Sequence, residues 1–329
     1  MSPSPLQRGW KHRETVLLKS TRDGAGFGLL EAGKRHQNLY VLCADVTESV
    51  RATDFAKAYP DRFLQFGVSE QAMVGIGAGL ALAGAIPVVE TFAAFSPARN
   101  WEQIRTTIAL QNLDAKIFSS HAGLSAGGDG ATHEMTEDLA LMRVLPNMVV
   151  LVPGDAIETE KAVKAAIDYE GPVYLRFERN ETPLFTLPAT PFEIGKASIL
   201  LEGNDVALIG AGPIVYECLQ AALLLEKDGI RAMVVNSPSV KPLDEKTIIA
   251  AAKKCGAIVT AESHQIAGGL GGAIAELLSQ NDPVPIERIG LCDVFGQSGT
   301  PEELAVHYHM SAEDIYRSAL RALKKKFRT

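Results

Sequence analysis

The chain is poor in cysteine and has no paired cysteine motif. Four cysteines occur in 329 residues, at positions 43, 218, 255 and 292, and no two of them form a CxxC pair. Such widely separated cysteines exclude both the ligand spacing of a zinc finger and a disulfide framework. The pattern is typical of a protein that folds in a reducing compartment, and we therefore predict a cytoplasmic location.

Basic runs and long apolar segments are also scarce. Lys and Arg total 32 against 39 Asp and Glu, a net charge of −7, and no basic run precedes KKKFR at 324–328. This balance excludes a basic nucleic-acid packaging protein. A long uncharged run, 72–89, is rich in Ala and Gly and contains Pro87. We interpret it as a tightly packed buried helix followed by a buried strand, so the sequence predicts a soluble protein with no membrane or nucleic-acid partner.

Short apolar runs alternate with helical patterns along the chain. The first series predicts strands at 39–43, 86–89, 116–120, 148–152 and 172–177 and helices at 21–34, 70–83, 98–109, 132–145 and 156–169. The second series predicts strands at 206–210, 231–235, 257–260 and 286–289 and helices at 214–228, 245–255 and 270–280. Apolar strands that alternate with helices indicate parallel sheets covered on both faces. We expect an α/β fold with two doubly wound parallel-sheet domains, at 1–185 and 195–329, joined by a linker at 186–194 within a proline-rich, aperiodic stretch.

Three loops of the first domain carry side chains that core packing does not explain. Glu70 begins the Ala/Gly-rich helix, where it either complements the helix dipole or, if burial raises its proton affinity, shares a proton with a ligand nitrogen. Phe92 and Phe95 follow the strand at 86–89, where open α/β sheets bind ligands, although their spacing also suits helix packing. The loop at 121–134 holds two histidines, an aspartate and four glycines, which indicates a functional polar loop. Its histidines lack the i, i+4 spacing of a helical zinc pair, so no metal site is predicted in this chain.

Taken in order, these motifs resemble the C-terminal part of transketolase and its thiamine-diphosphate-dependent relatives. The matching segments are ADVTES at 44–49, GVSEQAM at 67–73, TFAAF at 91–95, HAGLSAGGDGATHE at 121–134, LPNMVVLVPGD at 145–155 and GPVYLRFERN at 171–180. In that family a separate domain holds the diphosphate through Mg²⁺, with a GDG motif followed by paired asparagines. Here the GDG at 128–130 lies in the substrate loop, and no asparagine pair follows it. The resemblance therefore implies one subunit of a split transketolase, whose partner carries the diphosphate-binding domain and the Mg²⁺ ligands in an α2β2 assembly.

The resemblance also implies a role for each matching residue. Glu70 is expected to hydrogen-bond N1′ of the aminopyrimidine, and Phe92, Phe95 and Asp45 are expected to lie around the cofactor. His133 is expected beside the reacting carbonyl, placed to donate hydrogen bonds or protons. Asp129 is expected to recognise a hydroxyl group of the sugar. Four residues match the groups that clamp a sugar phosphate, with Arg179 preferred to the nearby Arg176: Arg22, Ser49, His121 and Arg179.

One departure from the family pattern lies over the pyrimidine of the cofactor, and the departures in the loop surround the sugar. Ala98 stands where the family usually has a tyrosine over the pyrimidine, and the loop reads GGDGATHE where the family has an acidic residue followed by DGPTHQ. The implied function is transfer of a two-carbon ketol unit from a ketose phosphate to an aldose phosphate, with a variant acting on a modified sugar left open. Three further alternatives remain: a 2-oxo acid dehydrogenase E1 β-type subunit, a deoxyxylulose-phosphate synthase-like enzyme and a non-catalytic scaffold.

Overall fold

The computed structural model describes residues 5–326, so both ends of the predicted domain pair, 1–4 and 327–329, lie outside the described residues. The first half contains β1 (Leu18–Ser20), α1 (Thr21–Arg35), β2 (Leu39–Cys43), α2 (Thr53–Ala58), β3 (Phe63–Gln65), α3 (Glu70–Leu82), β4 (Ile86–Phe92), α4 (Trp101–Gln103), β5 (Lys116–Ser120), α5 (Asp138–Arg143), β6 (Val149–Leu151), α6 (Ala156–Asp168), β7 (Val173–Arg176) and β8 (Glu181–Pro183). The second half contains β9 (Ser198–Leu201), β10 (Val206–Ala211), α7 (Val215–Lys227), β11 (Ala232–Asn236), β12 (Ser239–Lys241), α8 (Glu245–Cys255), β13 (Ile258–Gln265), α9 (Leu270–Gln280), β14 (Ile286–Leu291), α10 (Pro301–His307) and α11 (Ala312–Lys326). Two 3₁₀ turns, Pro60–Arg62 and Gly127–Asp129, and a π-helix, Ile104–Ala109, complete the assignment.

Two separate sheets confirm the predicted α/β class. The larger has the strand order β12-β6-β7-β5-β4-β2-β3, and all its neighbouring pairs are parallel except β12–β6. The smaller has the order β14-β13-β10-β11-β9, with β9 as its antiparallel edge. Apolar side chains cover both faces of the strands, which is the pattern of a doubly wound parallel sheet.

The larger sheet takes its last strand from the second half of the chain. β12 pairs with β6, and the Lys241 ammonium at its end donates hydrogen bonds to the backbone carbonyls of Arg143 and Leu145, next to the end of α5. The proline-rich stretch is ordered just before the predicted linker, because β8 pairs with β1. Neither pairing was predicted from the sequence, and the division of the chain at 185 and 195 stays a prediction.

Two predicted helices are wrong in their extent. The helix expected at 98–109 begins only at Trp101, because the Asn100 side chain instead donates a hydrogen bond to the backbone carbonyl of Glu70 at 3.2 Å. The helix expected at 132–145 is reduced to α5. The carbonyl of Met135 accepts from the Gly123 N–H at 2.7 Å, and that of Thr136 accepts from the Gln265 N–H at 2.8 Å. These tertiary hydrogen bonds replace the helical ones.

The Ala/Gly-rich run at 72–89 forms the expected helix and strand, but the helix is not tightly buried. Ile76 and Leu82 of α3 are exposed, and a Cβ atom at Gly75 or Gly79 would meet no neighbour within 4 Å. One face of α3 is therefore a surface of small and apolar side chains. Among residues 5–326, no helix is both long and apolar enough to cross a membrane.

Candidate active site

The predicted site residues lie at one edge of the larger sheet. β2, β4, β5 and β7 run parallel to one another, so their carboxyl ends meet and the loops that follow them are neighbours. The register places Phe92 beside Ser120 on the next strand. β4 extends three residues further than predicted, so Phe92 is the last residue of the strand instead of following it.

Glu70 begins α3 as a buried carboxylate paired with an arginine. Its side chain is 2% exposed, and Oε1 accepts a hydrogen bond from Nη1 of Arg99 at 2.7 Å. The guanidinium carbon of Arg99 lies 4.7 Å from the centre of the Phe95 ring, which is cation–π geometry. Of the two roles considered for Glu70, the burial fits a ligand-binding carboxylate better than a solvent-exposed helix-dipole partner.

Two phenylalanines and two histidines form a continuous column of rings. The His121 ring stacks on Phe92 with centroids 3.7 Å apart, and Phe92 stacks on Phe95 at 5.5 Å. The His133 ring meets Phe95 edge-on at 5.5 Å. Each histidine also has a hydroxyl partner at Nδ1, Ser120 for His121 at 2.8 Å and the neighbouring Thr132 for His133 at 2.9 Å. The column thus joins the aromatic pair predicted for the cofactor to both histidines predicted for the substrate.

Three arginines surround His121 and make this part of the edge electropositive. Burial, and then the charges of Arg22 and Arg179, with smaller contributions from His133 and Arg51, lower the pKa of His121 to about 3. The pKa of Arg22 is lowered as well, by burial and by the charges of Arg51 and Arg179. Cations that destabilise one another in this way are stabilised by an anion placed among them. The buried Nε of Arg22 has no hydrogen-bond partner among the described residues, so it is available to such an anion.

Arg179 and Arg176 have different environments, which separates the two candidates for the clamp. Arg176 is 2% exposed, its Nε lies 3.2 Å from the Asp138 carboxylate, and its Nη2 donates to the carbonyl of Ser263 at 2.5 Å. Arg179 is half-exposed and donates to the Asp129 carboxylate at 3.2 Å. Arg176 is therefore committed to the packing between the two sheets. Arg179 and Asp129, both predicted to bind substrate, lie together at the surface of the site.

The substrate loop packs against the second half of the chain. Gly123 has φ +60°, and a Cβ atom there would lie 2.3 Å from Oγ of Ser263. At Gly130, with φ +75°, a Cβ atom would lie 2.6 Å from Oγ of Ser298. Both positions require glycine for the backbone angle and for the close approach. The shape of the loop is thus fixed by residues more than a hundred positions away.

Glu134, the last residue of the loop motif, is a buried carboxyl group without a partner. Neither of its oxygens has a hydrogen bond among the described residues, and burial raises its pKa to about 7. A Cβ atom at Gly296 would lie 1.7 Å from Oε2 of Glu134. The carboxyl group therefore points into the segment before α10 and not toward the ring column.

Two predicted site residues, Ser49 and Asp45, have a less direct relation to the other site residues. Ser49 contributes its backbone carbonyl, which accepts from Nη1 of Arg22 at 2.9 Å. Asp45 follows β2 with φ +59° and an exposed side chain. Among residues 5–326, its carboxylate has no hydrogen bond or ion pair with another predicted site residue. The same residues contain no cluster of three or more His, Cys, Asp or Glu side chains that could hold a metal ion.

Sequence reasoning missed two arginines of the site. Arg99 stands four residues after Phe95, the spacing at which side chains meet on a helix, but Phe95 lies outside the helix predicted at 98–109 and so the contact was not expected. Arg51 has no comparable signal, because it depends on the ion pair with Asp23 at 2.6 Å and on a backbone φ of +71°. Both residues enter the site through tertiary contacts.

Comparison with known proteins gives a consistent family assignment. Two family descriptions match: "Transketolase, pyrimidine binding domain" over residues 19–184 and "Transketolase, C-terminal domain" over residues 195–315. A solved structure described as "Split gene transketolase, inactive beta4 tetramer" superposes with a TM-score of 0.86 at 42% identity, covering 93% of this chain and 99% of that one.

Two curated relatives are named as transketolase subunits. An apulose-4-phosphate transketolase subunit of Phocaeicola vulgatus is 39% identical over 298 residues, which cover 90% of this chain and 95% of that protein. A 6-deoxy-6-sulfo-D-fructose transketolase subunit of Clostridium sp. is 37% identical over 298 residues, covering 91% and 92%. The chain therefore belongs to the transketolase family, and it corresponds to the pyrimidine-binding and C-terminal domains of a split transketolase.

Proposed function

We propose that this chain is one subunit of a two-component transketolase, which transfers a two-carbon ketol unit between sugars that end in an anionic group. The observation that carries the proposal is the sheet edge itself. There a buried carboxylate, Glu70, and a cluster of three arginines around His121 are joined by the stacked rings of Phe92 and Phe95.

The residues present fit the aminopyrimidine half of thiamine diphosphate. A buried carboxylate suits a hydrogen bond from a ring nitrogen, and the apolar rings of Phe92 and Phe95 suit packing against an aromatic heterocycle. When bound, this cofactor supplies the nucleophilic carbon and accepts the electron pair of the broken C–C bond. We assign the diphosphate and Mg²⁺ to a partner subunit, because the GDG at 128–130 lies in the substrate loop and no asparagine pair follows it.

The remaining residues take roles toward the sugar. His133, at the end of the ring column, donates a hydrogen bond or a proton to the reacting carbonyl oxygen. Asp129 accepts a hydrogen bond from a sugar hydroxyl, and Arg22 and Arg179 bind the terminal anion. His121 is neutral at pH 7, because its pKa is about 3, so it contributes a hydrogen bond and no charge. Ser49 holds Arg22 through its carbonyl, and Asp45 borders the cofactor site at the end of β2.

A modified sugar is a specific second candidate for the substrate. The two curated relatives are named for apulose 4-phosphate and 6-deoxy-6-sulfofructose, and both names describe sugars with a terminal anionic substituent. The arginine cluster suits a phosphate or a sulfonate, because both present several oxygens to cationic donors. It also argues against a 2-oxo acid dehydrogenase subunit, whose substrates do not need a clamp of this kind.

The partner is proposed to dock on the exposed face of α3. α3 begins at Glu70, whose side chain is buried, and its other face exposes Ile76 and Leu82 together with Gly75 and Gly79, where a Cβ atom would meet no neighbour within 4 Å. Small side chains allow a second helix to approach closely, and the apolar ones provide area to bury. The related split transketolase described as inactive in its β4 form supports a requirement for a second kind of subunit. We propose that the two kinds of subunit form an α2β2 assembly. We also propose a cytoplasmic location, which agrees with the three buried free cysteines.

The test is a turnover assay of this chain alone and of the complex with the subunit that carries the diphosphate-binding half. Xylulose 5-phosphate, thiamine diphosphate, Mg²⁺ and an aldose-phosphate acceptor are the first substrates, followed by donors with sulfonate and modified-sugar termini. We expect turnover only in the complex, and a loss of about 10²-fold or more in Glu70→Gln, the scale of removing one preorganised polar group. Glu202→Gln, at an exposed carboxylate of the second half, is the matched control. A complex that binds thiamine diphosphate and turns over none of these sugars would refute the substrate class, and wild-type turnover in Glu70→Gln would refute the site.

A further inference from the structure

The Arg99 side chain is held at Glu70 by a fixed backbone and a stacked ring. The Gln71 side chain donates to the Arg99 carbonyl at 3.2 Å, and the Asn100 side chain donates to the Glu70 carbonyl, also at 3.2 Å. Both bonds join the segment before α4 to the first turn of α3. With its backbone tied and its guanidinium over Phe95, Arg99 approaches the carboxylate from a defined direction.

The two oxygens of the Glu70 carboxylate have different environments. Oε1 of Glu70 accepts from Nη1 of Arg99 at 2.7 Å. Across residues 5–326, no donor is found for the second oxygen, Oε2. A single guanidinium nitrogen thus fixes the orientation of the group and leaves one oxygen for a ligand.

We propose that Arg99 is a positioning residue: it orients the Glu70 carboxylate through Oε1, so that Oε2 is presented to a protonated ring nitrogen of the aminopyrimidine. This inference rests on the proposed function and extends it to a residue for which the resemblance gave no role. Arg99 acts through Glu70 and does not itself touch the reacting atoms. The opposite arrangement, in which Arg99 blocks the carboxylate until the cofactor displaces it, makes the opposite prediction for its removal.

The experiment measures exchange of the C2 proton of thiamine diphosphate in D₂O, with Mg²⁺, in the complex of both subunits and without any sugar. Glu70→Gln, Arg99→Gln and Arg99→Lys are compared with wild type. Arg317→Gln serves as the matched control, because Arg317 is an exposed arginine that pairs with Glu313 at 3.2 Å far from the site. Affinity for thiamine diphosphate is measured in parallel by calorimetry. The unfolding midpoint of each variant is recorded as a check on the fold.

We expect Arg99→Gln to slow exchange by about 10-fold to 100-fold, the usual cost of removing a group that orients a functional side chain. Arg99→Lys should recover part of the rate, and Arg317→Gln should match wild type. In the double variant Glu70→Gln/Arg99→Gln, the second substitution should add almost nothing, because Arg99 acts through Glu70. This double variant also removes the unpaired buried charge, so it tests the inference even if Arg99→Gln alone folds poorly.

Three results would overturn the inference. Exchange in Arg99→Gln at the wild-type rate would show that Glu70 needs no orienting partner. Faster exchange or tighter cofactor binding in that variant would identify Arg99 as a block. Additive losses in the double variant would show that Arg99 acts independently of Glu70. Failure of the wild-type complex to exchange the proton at all would instead refute the proposed function, so the two failures are distinguishable.

Discussion

Replacement of Glu90 by Gln should change the pH dependence of stability in a defined direction. Glu90 lies in the middle of the larger sheet, beside Cys43 on β2 and Phe118 on β5, with both oxygens buried and without a partner among the described residues. Burial raises the pKa of its carboxyl group well above the ordinary value of 4.5. The folded state therefore keeps a proton that the unfolded chain has already lost at neutral pH.

The sign and the size of the effect follow from proton linkage. Below pH 4.5 both states are protonated and the group costs nothing; above it, stability falls as pH rises, because the folded state binds more protons than the unfolded one. The free energy of unfolding falls by about 1.4 kcal/mol per pH unit until the pH reaches the pKa of Glu90 in the folded state. Between pH 5.5 and 7.0 Glu90 therefore removes up to about 2 kcal/mol from the free energy of unfolding. Gln has the same shape and cannot titrate.

The assay is urea unfolding of wild type and Glu90→Gln at half-unit steps from pH 5 to 8. The quantity of interest is the difference between the two free energies, because Glu134, Glu158 and Glu178, whose pKa values burial raises to about 7, titrate in both proteins and cancel. We expect this difference to grow by up to about 2 kcal/mol in favour of Gln between pH 5.5 and 7.0. Glu202→Gln, at an exposed carboxylate, is the matched control. If the free energies of unfolding of wild type and Glu90→Gln depend on pH in the same way, Glu90 has a partner or is ionised in the folded state. That result would refute the reasoning.

Two further predictions concern the substrate loop and the arginines beside it. Arg176→Gln should lower the free energy of unfolding by about 3–5 kcal/mol, because it leaves the buried charge of Asp138 without its cation and bonded only to the Tyr174 hydroxyl. Arg179→Gln should keep the stability of wild type and raise KM for the anionic sugar in the complex. Equal losses of stability in the two variants would contradict the different roles given to the two arginines. Gly123→Ala should lower the free energy of unfolding more than Gly229→Ala does, as measured by thermal or urea unfolding. Both glycines have a positive φ, which costs about 1–2 kcal/mol for alanine, but only at Gly123 would the new Cβ atom also lie against Ser263. Equal costs at the two glycines would mean that the loop moves to accommodate the methyl group.

The sequence predicted the elements whose signals are local. β2, β5, α8 and α9 have the bounds expected from their apolar patterns, and Gly256 ends α8 in the left-handed conformation with its N–H bonded to Ala252. The short strands β1, β8, β9 and β12 were not predicted. Each has only three or four residues, and its pairing depends on a partner elsewhere in the chain. Periodicity within so short a segment cannot identify a strand.

The site could be predicted as a set of loops but not as a set of contacts. Motif order placed the predicted loops at one sheet edge, because the strands before them are parallel. The pairing of Asp129 with Arg179 joins residues fifty positions apart, and that of Glu70 with Arg99 joins residues twenty-nine positions apart. Neither pair has a local pattern. The helical pattern at 132–137 was also misleading, because hydrogen bonds to Gly123 and Gln265 decide the backbone there.

The second half of the chain contributes to the site without supplying any of the predicted site residues. Ser263 and Ser298 contact the glycines of the substrate loop, and the carbonyl of Ser263 also holds Arg176, whose strand leads directly to Arg179. The loop that carries His121, Asp129 and His133 is therefore clamped between the larger sheet and the second half of the chain. Since the loop's own sequence is rich in glycine and has little apolar area, it cannot hold one conformation by itself. A separated first half would accordingly keep Glu70 and the aromatic pair in place, because α3 and β4 pack within the larger sheet, while the loop that carries Asp129 and His133 loses its arrangement.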